Sequence, residues 1–169
     1  MTKRLTKIYT RTGDDGTTAI ANNQRINKTD ILLDAIGAID EANSAIGMAT
    51  DEYNDIIERV QNDLFDLGAE LAGSTKFIMT KAKVNYLENV IDDYNEFLEP
   101  LESFVLPTGS LHNARTVVRR AERAVWKVSE NQDINKMILH YLNRLSDLLF
   151  VMARYHNRGK EKLWSIDEK

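Results

Sequence analysis

From Ile31 to about Arg158, apolar residues return every three or four positions, and the chain's two prolines, Pro100 and Pro107, fall in one connection. Such a chain can bury its apolar stripes only by packing helix on helix. No segment alternates with period two between turn signals, so sheet content should be small. The expectation is an all-α, five-helix bundle.

The periodicity divides the bundle. "TDILLDAIGAIDEANSAIGMAT" opens on a cap candidate, Thr29 or Asp30. At about 100° per residue, Ile31, Ala35, Ala38, Ile39, Ala42, Ile46 and Ala49 share one face, with Asp40, Glu41 and Ser44 on the other side. The second helix carries Ile56, Ile57, Val60, Leu64, Leu67 and Leu71, and Gly73 suits its C-terminal cap. The third carries Val84, Leu87, Val90, Ile91, Tyr94 and Leu98 and closes at Pro100; "SFVLPTGS" is a connection. The fourth runs from about Leu111 to Ser129, and the fifth from about Asp133 to Arg158. The 169 residues show no repeat or interdomain linker, which gives one domain, 1–169. An irregular segment, 7–28, precedes a bundle of about 29–158.

Composition removes several function classes. With no cysteine, disulfides, thiolate catalysis and thiolate metal sites are out. A net charge of −4 argues against a nucleic-acid-binding surface as the main business. No apolar run is long enough to span a membrane, and no apolar leader is visible. The expected location is therefore cytoplasmic, although an import segment removed before residue 1 would leave the same sequence. None of His112, His140 and His156 has an acid three residues before it, so the Glu-x-x-His signature of di-iron bundles is absent. Surface or capping histidines are expected, and no protein-held metal.

The segment "KIYTRTGDDGTTAI" has no apolar residue between Tyr9 and Ala19 and cannot build a core. It is not a phosphate-binding P-loop of the Gly-x-x-x-x-Gly-Lys-Ser/Thr kind. Gly13 and Gly16 allow tight turns whose N–H groups converge on an anion. Thr10, Thr12, Thr17 and Thr18 add hydroxyls, and Asp14 and Asp15 can hold Mg²⁺ against phosphate oxygens. A threonine-rich tail is the simpler alternative.

Two helices carry unusual charge. In "ARTVVRRAERAVWKV", Ala114, Val117, Val118, Ala121, Ala124, Val125 and Val128 fill one arc. Arg115, Arg119, Glu122 and Arg123 fill the opposite one, with Arg120 to the side. Arginine forks fit phosphate bidentately, so the strip suits a triphosphate. It can equally be a solvated face with Glu122 paired to Arg119 or Arg123. In the fifth helix Leu142, Leu145, Leu149 and Met152 form the core stripe, and His140, Asn143, Asp147 and Arg154 a polar one. Asn143, a poor helix former, has either a specific ligand or a bundle-facing partner.

Taken in order, "YTRTGDDGTT", "GAIDEANSAIG", "RTVVRRAER" and "LNRLSDLLFVMARY" resemble the PduO-type ATP:cob(I)alamin adenosyltransferases over Ile8 to about Tyr155. The resemblance implies a homotrimer of five-helix bundles with active sites between adjacent subunits. It implies transfer of the 5′-deoxyadenosyl group of ATP to reduced cobalamin, with Mg²⁺ accompanying ATP and triphosphate released. By match, Thr10, Arg11, Thr12, Gly13, Thr18 and Lys28 belong to the ATP site, joined by Arg119, Arg120, Glu122, Arg123 and Asn143. Asp40 and Arg115 match a pair bridging the subunit interface, and with Arg119 they form the catalytic set. Phe104 matches an aromatic beneath the corrin that helps exclude the lower axial base. A flavoprotein reductase and a cobalamin-dependent acceptor enzyme are the implied partners. This chain departs from the pattern in two places. Asp15 stands where the family often has lysine, and the link from "FVLPTGS" to the fourth helix is about five residues shorter than the pattern. The competing readings are a nucleotide or polyphosphate sensor without turnover, and a structural interaction protein with no ATP affinity.

Overall fold

The computed structural model describes residues 8–49, 55–158 and 160–165. Lys7, Thr50 and Asn54, which the quoted sequence segments include, lie outside that set. Two short strands, β1 (Thr17–Ala19) and β2 (Arg25–Asn27), pair antiparallel with Thr18 opposite Ile26. Five helices follow: α1 (Ile31–Met48), α2 (Asp55–Leu71), α3 (Lys81–Asn95), α4 (Gly109–Ser129) and α5 (Lys136–His156).

Local chemistry sets the ends. Asp30 caps α1: its carboxylate accepts from the Leu32 amide at 2.8 Å, satisfying one of the free N–H groups of the first turn. Past α2, Gly73 adopts φ +90°, and the Ser74 amide closes back on the Ala69 carbonyl at 2.9 Å. A Cβ at Gly73 would also lie 2.9 Å from the Asn22 amide nitrogen, so glycine lets the hairpin turn pack there. The fifth helix starts at Lys136 rather than about Asp133. Asn135 takes the cap by accepting from the Met137 amide at 3.0 Å, and its Nδ2 donates to Glu70 and to the Met79 carbonyl.

Helix α1 packs on α2 and α4, α4 on α5, and α5 on α3. Polar contacts close the ring between α2 and α3, where Lys83 bridges Asp63 and Asp66 at 2.6 Å each. The Tyr141 hydroxyl of α5 donates to Asp63 at 3.1 Å. Leu142, Leu145, Leu149 and Met152 are fully buried, as the α5 stripe requires.

Three positions, Ile31, His112 and Arg154, differ from the sequence reading, and it left a fourth, Asn43, unplaced. Ile31 is 37% exposed, and Leu32 takes its place in the core, because Leu32 stands three and seven residues before Ala35 and Ile39 and shares their buried face. Asn43 is buried because its Nδ2 donates to the Gln61 carbonyl and its own carbonyl accepts from Gln61, tying α1 to α2. His112 is buried rather than a surface or capping residue, its ring centre 5.7 Å from that of Phe150 in an edge-on contact. Arg154 is not on an open polar stripe; it is buried and paired with Glu161.

Beyond α5, residues 160–165 return to the connection between α3 and α4. Val105 and Leu163 form an antiparallel bridge, the Leu106 amide donates to the Lys162 carbonyl at 2.8 Å, and the Trp164 amide to the Phe104 carbonyl at 2.7 Å.

Candidate active site

The polar N-terminal segment is folded by its own side chains. Asp15 Oδ1 accepts from the Thr17 amide (2.9 Å) and the Thr17 hydroxyl (2.8 Å). These bonds, with Arg25 nearby at 3.5 Å, hold its carboxyl below the usual carboxylate range. The position therefore carries a turn-forming acid. Arg25 on β2 pairs with that acid and also donates to the Thr12 carbonyl and the Thr17 hydroxyl. Arg11 takes φ +61° with its guanidinium 5.6 Å from the Tyr9 ring centre. The hydroxyls of Thr10 and Thr12 share a hydrogen bond of 2.8 Å. A Cβ on Gly13 would stand 3.3 Å from Lys28 Nζ, so the bare glycine backbone lets the ammonium approach the turn. Thr18 lies in β1, half-buried. Thr10, Arg11, Thr12 and Gly13 thus precede β1, Thr18 lies within it, and Lys28, just past β2, is brought to the turn at Gly13.

The α4 strip divides by partner. Arg120 pairs with Glu41 of α1. Arg119 and Arg123 are exposed and form no ion pair with a described residue. Glu122 does not neutralise them: it is half-buried, and its Oε1 accepts from Asn143 Nδ2 across α4–α5 at 3.4 Å. Asn143 Oδ1 accepts from Arg144 at 2.8 Å, and Arg144 in turn pairs with Glu88. Two arginine forks therefore stand unpaired beside a fixed Glu–Asn pair. Such an arrangement leaves their donors free for an anionic ligand.

Arg115 is a different case. Its guanidinium lies 5.4 Å from the Phe150 ring centre, and its Nε is buried without a hydrogen-bond partner. Burial, then the charge of Arg119, lowers its pKa from the ordinary value. Asp40 is exposed on α1 and pairs with no described residue. Within one chain the two do not meet.

Phe104 is 79% exposed in the 96–108 connection, its ring 6.4 Å from Trp164 in an edge-on contact. The fourth helix begins at Gly109, two residues before the expected Leu111, so the short link still delivers the phenyl ring to the surface.

Sequence reasoning missed Arg25, Glu41 and the C-terminal segment. Arg25 acts only through the register of β1 with β2. The C-terminal segment left only the apolar pair Leu163–Trp164 beyond the last helical stripe, too short to show a period.

The fold and these clusters define a helical-bundle protein with an anion-ready arginine strip and an exposed aromatic loop. The family model for cobalamin adenosyltransferase matches residues 8–156, and the chain belongs to that family. It is 43% identical to a corrinoid adenosyltransferase of Mycobacterium leprae, covering 97% of this chain and 98% of that protein. It is 39% identical to the corrinoid adenosyltransferase of Bacillus subtilis, over 89% of this chain and 86% of that one. Among solved structures, a variant of the PduO-type ATP:corrinoid adenosyltransferase of Lactobacillus reuteri, complexed with cobalamin and ATP, superposes with TM-score 0.85. The two share 35% identity, over 95% of this chain and 100% of that one.

Proposed function

We infer that this chain transfers the 5′-deoxyadenosyl group of ATP to the cobalt of a reduced corrinoid. The observation that carries this is the whole-chain likeness to a PduO-type enzyme holding both ATP and cobalamin. The free forks of Arg119 and Arg123 fit the same reading.

Cobalt(I) carries the nucleophilic electron pair. That pair forms the Co–C5′ bond as the C5′–O5′ bond breaks, and the electrons of the broken bond leave with triphosphate. Cobalt rises formally from +1 to +3, and no proton transfer is required. The protein therefore needs neither triad nor general base. It must align C5′ with cobalt and stabilise charge on the leaving triphosphate. Arg119 and Arg123 are assigned to the phosphates, with Lys28 and Arg11 from the N-terminal turn. Arg25 supplies the charge that a family lysine would have placed at Asp15. Arg120, held by Glu41, and the Glu122–Asn143 pair are assigned to the nucleoside side of the ATP site, and Phe104 to the corrin.

Mg²⁺ enters as the companion of ATP. Among the described residues no group of three or more His, Asp or Glu side chains could hold a metal ion, and one oxygen of Asp15 is committed to Thr17 and Arg25. The triphosphate would have to supply most of the coordination, and no step is assigned to the metal here.

The functional unit in this reading is a homotrimer with sites between adjacent copies. Its support is a mismatch within one chain. Arg115 has a buried donor without a partner, and Asp40 has a free carboxylate. A second copy can bring one to the other. A flavoprotein reductase would supply the reduced corrinoid, and a cobalamin-dependent enzyme would consume the product. No helix among the described residues is long and apolar enough to cross a membrane.

Phosphorus NMR of a turnover mixture tests the reaction class. Inorganic triphosphate should appear mole for mole with alkylated cobalt. Orthophosphate or diphosphate as the leaving group would contradict attack at C5′.

A further inference from the structure

The run Val151, Met152, Ala153, Arg154 is buried throughout, and the last of the four carries a charge. Arg154 is 8% exposed. Its Nε donates to Glu161 Oε1 at 2.8 Å, and the Glu161 side chain is itself almost fully covered. A terminal nitrogen of the same guanidinium donates to the Glu99 carbonyl at 2.8 Å. One side chain at the end of α5 therefore grips two segments distant in sequence: the 96–108 connection and the C-terminal 160–165. A charge in so apolar a run needs both partners, because breaking a covered ion pair leaves an uncompensated charge in the protein.

Those two segments form the platform that presents Phe104. The Phe104 carbonyl accepts from the Trp164 amide, the Leu106 amide donates to the Lys162 carbonyl, and the Ser103 hydroxyl donates to the Trp164 carbonyl. Val105 bridges Leu163. A ring as exposed as that of Phe104 is not held by core packing; its place is set by this backbone ladder. An isolated two-stranded ladder of a few bonds is marginal in water. The ladder's anchor to the bundle is the Arg154–Glu161 contact at one end and the Arg154–Glu99 contact at the other.

We propose that Arg154, acting with Glu161, is a positioning residue for the corrinoid half of the reaction, because it fixes the platform from which Phe104 is presented. This rests on the assignment of Phe104 to the corrin. The ATP cluster lies on other elements, the N-terminal hairpin and the middle of α4 and α5, so the effect is selective for one substrate.

The test compares Arg154→Met, Glu161→Gln, Arg154→Lys and Phe104→Ala in steady-state kinetics with ATP and chemically reduced cobalamin. Each protein is first checked by circular dichroism. Arg154→Met and Glu161→Gln should raise the KM for cobalamin roughly tenfold or more, as small displacements of a substrate-positioning group do. The KM for ATP should stay unchanged, and Arg154→Lys should recover part of the loss. Amide exchange at Trp164 and Leu106 should quicken in the same two variants. If Arg154→Met does not fold, Glu161→Gln, which keeps the side-chain shape, decides alone. An unchanged cobalamin KM in folded Glu161→Gln, with Phe104→Ala impaired, would overturn the proposal. So would an equal rise in both KM values, which marks a general structural role. If Phe104→Ala is itself normal toward cobalamin, the assignment of Phe104 fails, and the proposal with it.

Discussion

Arg119 and Arg123 keep their donors free while Arg120, between them in the sequence, is spent on Glu41. The difference is one of partners, which is why a helical wheel could gather the arginines but could not rank them. Arg119→Ala should lower kcat/KM by about 100-fold or more, the cost of removing one donor from a developing anion. Near-normal kinetics would refute its role. Arg115 and Asp40 should fall together: Asp40→Asn should impair turnover with helix content intact, and wild-type activity would remove the pair from the mechanism. His112 was misread as a surface or capping residue because a single imidazole carries no sign of its burial. Burial, then the charge of Arg115, pushes its pKa below the ordinary 6.5, against a smaller opposing pull from Glu161. The unfolded chain therefore takes up this proton at a higher pH than the folded one. Stability from this group is complete above about pH 6.5 and is lost as pH falls through the lowered folded value. Thermal melts between pH 7 and pH 5 should show a falling Tm, and His112→Gln should flatten that slope. An unchanged slope in the variant would place the loss elsewhere.

The helices were legible because their signals are local: Asp30 caps α1, Gly73 ends α2, and the α5 leucines fall on one stripe. The hairpin and the returning C-terminal segment were not legible. Three-residue strands leave no periodicity, and their pairing is set by tertiary contacts. Asp15 shows the limit of a motif. Its carboxylate forms the turn into β1 and pairs with Arg25 from across the hairpin. Deleting residues 1–18 should leave the bundle folded by circular dichroism but abolish ATP binding in calorimetry. Retained binding would free the segment from the site, and collapse of the bundle would make it structural. The α2–α3 seam rests on Lys83, whose pKa is raised. Burial alone would lower it, but Asp63 and Asp66 outweigh that. Lys83→Met should cost about 2 kcal/mol in denaturant unfolding, less than a fully buried pair because Lys83 is partly exposed. A change near zero would show that water already satisfies the two carboxylates.

Each bundle holds half of the arrangement proposed here: a buried arginine donor lacking a partner, and a carboxylate lacking a cation. Sedimentation equilibrium should give three copies, and a monomer that turns over would contradict sites built between subunits. A non-enzymatic sensor would keep the arginine strip and bind ATP. A structural protein would carry the strip as a solvated or partner-facing surface and bind no ATP, so binding alone separates only the last. The decisive measurement is an anaerobic visible spectrum of chemically reduced cobalamin mixed with ATP, Mg²⁺ and this protein. The account predicts that the cobalt(I) bands give way to those of adenosylcobalamin only when the protein is present. ATP binding by calorimetry with persistent cobalt(I) bands would contradict it and leave a sensor.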